Sequence, residues 1–185
     1  MNTVITSRES ILNVSRELVR TQGWKAVNIR TVAGESGVSV GTIYNYFNSK
    51  SDLTTATVES IWHDIFHYPQ SPNSFDSFIA CIQWVFDCME KGNHKYPGFF
   101  TLHSINFLEE EKSTGKHLML HSWDHIKNGF SIALANDKNI RSNAFDECFT
   151  EEQFIDIIFS LVISALLQQK YDCNGISEMI CRLIY

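Results

Sequence analysis

Residues 37–47 read GVSVGTIYNYF, and this stretch decides how the start of the chain folds. Ser39 stands two residues after Gly37 and can cap a short helix, because its hydroxyl can accept from a free N–H of the first turn. Ile43 and Phe47 follow at i,i+4 spacing and supply one inward face. Gly41 falls inside this helix, where glycine costs roughly 1 kcal/mol relative to alanine. It makes sense where a backbone must approach something closely. At a helix N-terminus the natural candidate is a phosphate or a base edge.

Asn28 is a good N-cap for a preceding helix, IRTVAGES, with Val32 and Ala33 inward and Gly37 as its end. Further upstream, Thr6-Ser7-Arg8-Glu9 has the T-x-x-E form of a capping box. Ile11, Leu12, Val14, Leu18 and Val19 then give an apolar stripe at helical spacing. Gly23 supplies the stop, and Trp24 can cover the helix end. Helix, tight glycine-containing turn and short second helix together form a helix-turn-helix. That geometry presents an N-terminal helical turn to the major groove.

The charge distribution agrees with a polyanion contacted at one end only. The 185 residues carry a net −6, but residues 1–50 hold six basic and three acidic side chains, a net +3. Residues 51–185 hold nine basic and eighteen acidic ones, a net −9. With 44% apolar and 19% charged residues the composition is globular, enough for one sizeable domain or two small ones. The longest nearly apolar run, residues 154–167, is too short to span a bilayer. MNTVITSRES has no apolar core of a signal peptide, and the five cysteines form no CxxC pair. Export, a disulfide scaffold and a sequence-adjacent zinc site are therefore not expected, and a cytoplasmic location is. Periodic apolar spacing with little alternation predicts an all-α chain.

The run ILNVSRELVRTQGWKAVNIRTVAGESGVSVGTIYNYFNSKSDL resembles the DNA-binding head of the tetracycline-repressor (TetR) family of bacterial regulators. The resemblance covers about the first 55 residues, including the spacing from Gly23 through Gly37 to the IYNYFNSKSDL segment. It implies an N-terminal three-helix head on a helical C-terminal domain for ligand binding and dimerisation. By position, it implies that Val40, Gly41, Tyr44 and Asn45 reach base edges and that Arg30 contacts a base or phosphate. Thr42, Tyr46 and Lys50 match phosphate-contacting positions. The chemistry is compatible: Asn can pair with adenine and Arg with guanine, while hydroxyls and Lys bind phosphate without reading sequence. Two positions depart from the family. Val40 replaces a frequent polar or basic reader, leaving a thymine-methyl contact, and Ile29 stands where some members place a phosphate-binding hydroxyl.

We expect a head at residues 1–50 and a body at 51–185, in which 51–68 is a connecting helix. Ser74 to Lys91 reads as a helix apolar on nearly all sides, including Trp84. His103 falls at helical spacing from Phe99, Phe100 and Phe107, one polar group among aromatics, as in an apolar ligand pocket; a satisfied core histidine is the alternative. Trp84, Phe100, His103, Phe107 and Trp123 are the candidate effector-binding residues. His117, His121 and His125 recur every four residues beside Asp124, a spacing able to hold a metal. They lie opposite the apolar stripe of Met119, Trp123, Ile126, Phe130 and Ala133, so no metal is expected. A helix from Thr150 to Tyr171 and a short final one from Ile176 to Tyr185 carry more apolar surface than one soluble monomer covers. Phe159, Ser160, Ile163, Ser164, Leu167, Ile180 and Leu183 are the expected homodimer face.

The expected function is a cytoplasmic, ligand-responsive transcriptional regulator, repressing as a homodimer on a palindromic double-stranded DNA operator. Its effector would be a small apolar or aromatic molecule, with no cofactor and no membrane partner. The alternative is a protein-interaction module that retains the helix-turn-helix only as structure. A helical enzyme using the histidines finds no support in a Ser/His/Asp arrangement, a phosphate loop or an HExxH motif.

Overall fold

The computed structural model describes residues 6–66, 75–100 and 113–185, with the backbone alone at 113–122. Among them the chain is all helical: α1 (Arg8–Gln22), a 3-10 turn (Trp24–Ala26), α2 (Ile29–Glu35), α3 (Val40–Tyr44), α4 (Lys50–Ile65), α5 (Phe78–Lys95), α6 (Ser113–Asn136), α7 (Glu151–Leu167) and α8 (Asn174–Ile184). Two compact units form, each discontinuous in sequence. The first holds residues 1–65 and 93–118, the second 66–92 and 119–185. The connecting helix α4 thus groups with the head.

In the first unit, local caps set the helix boundaries. Asn28 accepts from Thr31 N at 3.0 Å to start α2, and Ser39 accepts from Thr42 N at 3.1 Å to start α3. Gly23 and Gly37 adopt φ of 80° and 65°, a region open to glycine, where the chain must leave α1 and turn into α3. The start of α1 differs from the T-x-x-E expectation. Ser7 is the N-cap, its hydroxyl accepting from Ser10 N at 3.1 Å while Ser10 Oγ accepts from Ser7 N at 2.8 Å. Since α1 starts at Arg8, Ser10 and not Glu9 holds the N3 position of the box, and Glu9 instead pairs with Arg16 at 3.2 Å.

Most apolar positions expected of the head are its core, while Val14 of the expected stripe is only half-buried. Ile11, Leu12, Leu18, Val19, Val32, Ala33, Ile43, Phe47 and Leu53 are all buried. Ile29 is buried with them, so it serves packing at that position. Ser15 and Thr57 are fully buried as well, each donating to the carbonyl one turn back, Ile11 O at 3.0 Å and Leu53 O at 2.8 Å. Arg16 also donates to Ser60, tying α1 to α4. Residues 93–100 complete this unit. Phe99 packs against Trp24 and Trp62, with ring centroids 6.3 and 5.9 Å apart, and Asp64 accepts from Lys95 at 2.6 Å and from the Tyr96 hydroxyl at 2.8 Å.

The second unit is built around Phe78, Phe130 and Phe154, all buried, with Phe78 rings 6.0 and 5.4 Å from the other two. Helix α5 begins at Phe78, later than the sequence spacing predicts, because Ser77 caps Ala80 N at 3.1 Å and Asp137 accepts from Phe78 N at 2.8 Å; Ser74 lies outside the described residues. Asp137 also accepts from Asn139 N at 2.9 Å and from the Tyr185 hydroxyl. Arg141 donates to the carbonyls of Ile184 at 2.9 Å and Leu183 at 2.6 Å. The end of α8 is thereby fastened to the 137–141 turn. Thr150 and Gln153 form a capping box at the start of α7, which ends at Leu167.

Candidate nucleic-acid interface

Helix α3 has five residues and little propensity to stand alone, so its position depends on two buried anchors. Ile43 and Phe47 are both 0% exposed. Burying them turns the other side of the helix outward. Val40 is 40% exposed, Tyr44 50% and Tyr46 38%, and these are three of the most exposed large apolar residues described. Gly41 and Asn45 are exposed beside them, and Thr42 is half-buried with its hydroxyl 2.9 Å from Ser39 Oγ. The five exposed residues of this segment have no role in the core.

Among the described residues nothing requires glycine at position 41. A methyl group built there would meet only Ser39 Oγ, at 3.6 Å, an ordinary van der Waals contact. The first turn of α3 is thus open to a close approach from outside.

The cations of the head divide into two groups. Arg20 is held by Glu17 at 2.5 Å and Arg16 by Glu9 at 3.2 Å, so both are neutralised. Their mutual hydrogen bond lowers the pKa of Glu17 and raises that of Arg20. Arg8, Lys25, Arg30 and Lys50 are exposed and pair with no carboxylate among the described residues. Arg30 lies in the first turn of α2, and Lys50 is the first residue of α4, next to Ser49, whose hydroxyl accepts from Asp52 N at 3.0 Å. A lysine at a helix N-terminus works against the helix dipole. An anion bound there would reverse that penalty, since cation and helix end then act together.

Tyr46 is committed differently from its expected phosphate role. Its hydroxyl donates to the Thr6 carbonyl at 2.7 Å. A phenol has one O–H, so Tyr46 can donate to a phosphate only by releasing Thr6.

Of the expected effector residues, His103 and Phe107 lie outside the described residues. Phe100 is buried in the first unit with its ring 5.7 Å from Trp62. Trp84 and Trp123 belong to the second, Trp84 packing on Phe66 and Phe75 and Trp123 on Phe159. An open cavity of about 820 Å³ in that unit is lined by Asp124, Lys127, Asp146, Glu151, Glu152 and Asp156 among others, and by none of the expected five. Lys127 pairs with Asp156 at 2.5 Å. Phe145 and Ile155 join these charged groups in the lining.

The expected dimer face needs correcting at two positions. Phe159 is 7% exposed and packs its ring on Trp123 at 5.5 Å, and Ile180 is 0% exposed. Both belong to the core of their own unit. Ser160 and Ser164 are exposed, Ile163 is half-buried, and Leu167 and Leu183 are 53% and 38% exposed. Ile157, at 48% exposed, joins this outward set and was missed because a helix apolar on most sides does not announce which side is inward. The side chains of His117 and His121 are not described, and His125 is exposed. Among the described residues no group of three metal-ligating side chains is assembled, and no helix is long and apolar enough to cross a membrane.

Residues 11–57 match the profile of bacterial regulatory proteins of the tetR family. The transcriptional regulator AlkX of Mycobacterium tuberculosis is 41% identical over 46 residues, 25% of this chain and 22% of that one. A helix-turn-helix-type regulator of Staphylococcus aureus is 27% identical over 105 residues, 48% of this chain and 56% of the relative. The match thus spans about a fifth to just over half of these relatives' length. Among solved structures, the multidrug binding protein EbrR in complex with imidazole is similar at a TM-score of 0.63 and 15% identity, covering 98% of this chain and 96% of that one. The transcriptional regulator FadR of Bacillus subtilis, in complex with stearoyl-CoA, gives a TM-score of 0.54 at 17% identity, covering 96% and 97%. At such identities these two likenesses speak to the fold.

Proposed function

We infer that this chain, whose residues 11–57 belong to the tetR family of bacterial regulatory proteins, is a transcriptional regulator that binds duplex DNA through α3. The observation that carries this is the outward face of α3. Val40, Gly41, Tyr44 and Asn45 are exposed on a short helix anchored by the buried Ile43 and the following Phe47, in a head whose Arg30 and Lys50 pair with no carboxylate among the described residues. In this reading Asn45 and Tyr44 meet base edges, and Val40 offers an apolar contact to a thymine methyl group. Gly41 lets the backbone come close, Thr42 and Lys50 hold phosphates, and Arg30 takes a base or phosphate.

The chain acts as a homodimer, joined through the outward residues of α7 and α8, and reads a palindromic operator whose half-sites are about 34 Å apart. A small apolar or aromatic effector favours a head spacing that no longer fits successive major grooves, which releases the DNA. EbrR and FadR, as named above, are bound to small molecules, which supports an effector of that kind here.

Selection of duplexes from a random library by the purified chain tests the reading. The expected winner is a palindrome with two half-sites one helical turn apart. Failure to enrich any sequence would favour a protein-interaction module in which the helix-turn-helix is only architecture.

A further inference from the structure

The residues that lead into α1 are fastened to the residues that follow α3. The Tyr46 hydroxyl donates to the Thr6 carbonyl at 2.7 Å, and the Arg8 guanidinium lies over the Phe47 ring, 5.2 Å from its centroid. Arg8 is therefore held beside the C-terminal end of the recognition turn, although it is some forty positions away in sequence.

Three features of Arg8 suit an anion. Its side chain is exposed and meets no carboxylate among the described residues, because the adjacent Glu9 is taken by Arg16 at 3.2 Å. Its guanidinium carbon lies within cation–π range of the Phe47 ring, and its N–H donors meet no acceptor among the described residues. Those donors form a fork that matches phosphate oxygens bidentately. In addition, the one hydroxyl proton Tyr46 owns is already given to Thr6. A phosphate passing this end of α3 gains no proton from Tyr46 while that bond holds, and Arg8 is a cation placed there that pairs with no carboxylate among the described residues.

We propose that Arg8 is a further phosphate-binding residue of the head, gripping the strand that runs past the end of α3. The Tyr46–Thr6 bond and the Phe47 ring are what position it. The proposal rests on the DNA-binding reading above.

The test is the salt dependence of binding, by fluorescence anisotropy with the duplex recovered by selection, for the full chain and its Arg8→Gln and Arg8→Lys variants. Thermal melting of each variant reports on the fold. Each phosphate contact contributes about 0.9 to the slope of log K against log salt, so Arg8→Gln should flatten the slope by about 0.9 for each head bound. Arg8→Lys should restore it, because a cation remains. Should Arg8→Gln melt early, Arg8→Met keeps an apolar stem over Phe47 without the charge, and the same slope is read. A charge-free variant with the wild-type slope, or an Arg8→Lys slope as flat as that of Arg8→Gln, overturns the proposal and leaves the DNA reading standing. A wild-type chain that recovers no duplex and binds none overturns both.

Discussion

Replacing Gly41 by alanine should move stability and DNA affinity in opposite directions. Position 41 is exposed in α3, and the added methyl would touch only Ser39 Oγ, at 3.6 Å. The fold therefore accepts it without rearrangement. Alanine gains backbone entropy over glycine in a helix, about 0.5–1 kcal/mol. For a chain of this size that corresponds to a melting temperature higher by about 1–4 °C. The same methyl protrudes from the turn proposed to lie against DNA, where it holds the backbone off its contact. A loss of about 1.4 kcal/mol per head is a tenfold weakening, and two heads on one operator would compound it. Calorimetric melting and an anisotropy titration on the selected duplex read the two effects separately. A variant that melts higher and binds equally well or more tightly would refute close approach at Gly41. A variant that melts lower would refute the account of its surroundings.

Tyr44→Ala and Lys50→Ala remove exposed side chains and should leave the melting temperature within about 1–2 °C of wild type while weakening operator binding. Unchanged binding in an anisotropy titration would reject their assigned roles. Asp137 carries a pH prediction. Burial opposes its ionisation, but donation from Tyr185, Phe78 and Asn139 outweighs that and holds the carboxyl below its ordinary value of 3.8. The stabilisation is fully present above that value and is lost as pH falls below it through the lowered native pKa, so melting temperature should drop below about pH 4. Asp137→Asn should cost about 1–3 kcal/mol near neutrality and flatten the acid limb, as followed by circular dichroism. An acid limb as steep in the variant would assign it to other carboxylates. Leu167, 53% exposed near the end of α7, should be replaceable by glutamate with little effect on the monomer. Sedimentation should then show a larger monomer fraction; an unchanged oligomer would place the dimer contact elsewhere.

The head was legible in the sequence because its decisive features are local. Asn28 and Ser39 cap residues three positions away, and Gly23 and Gly37 stand where the chain reverses, so each signal lies within one turn of its consequence. Ile43 and Phe47 then set which side of α3 faces outward. Even locally, one boundary differed: α1 starts at Arg8, so Ser7 and Ser10 make its cap and Glu9 pairs with Arg16. Long-range bonds were not legible. Tyr46 reaches Thr6, and Asp137 gathers Phe78 and Tyr185, across separations that no spacing rule records. The body shows the same limit. Helix α7 is apolar around most of its circumference, so periodicity could not tell that Phe159 turns inward while Ile157 turns out. The aromatic residues expected to share one effector pocket include Phe100 in one compact unit and Trp84 and Trp123 in the other, a division that composition does not reveal.

DNA binding by the head is tested most directly by an equilibrium titration of the purified chain with its selected duplex over a range of salt concentrations. Among the described residues of the head, Arg8, Lys25, Arg30 and Lys50 are the cations that pair with no carboxylate. Two to four of them on phosphates per head, in a two-headed complex, give a slope of log K against log salt of about −4 to −7. A slope in that range, steeper than one head alone could produce, is the expected result; a flat response, or no binding at low salt, would contradict it.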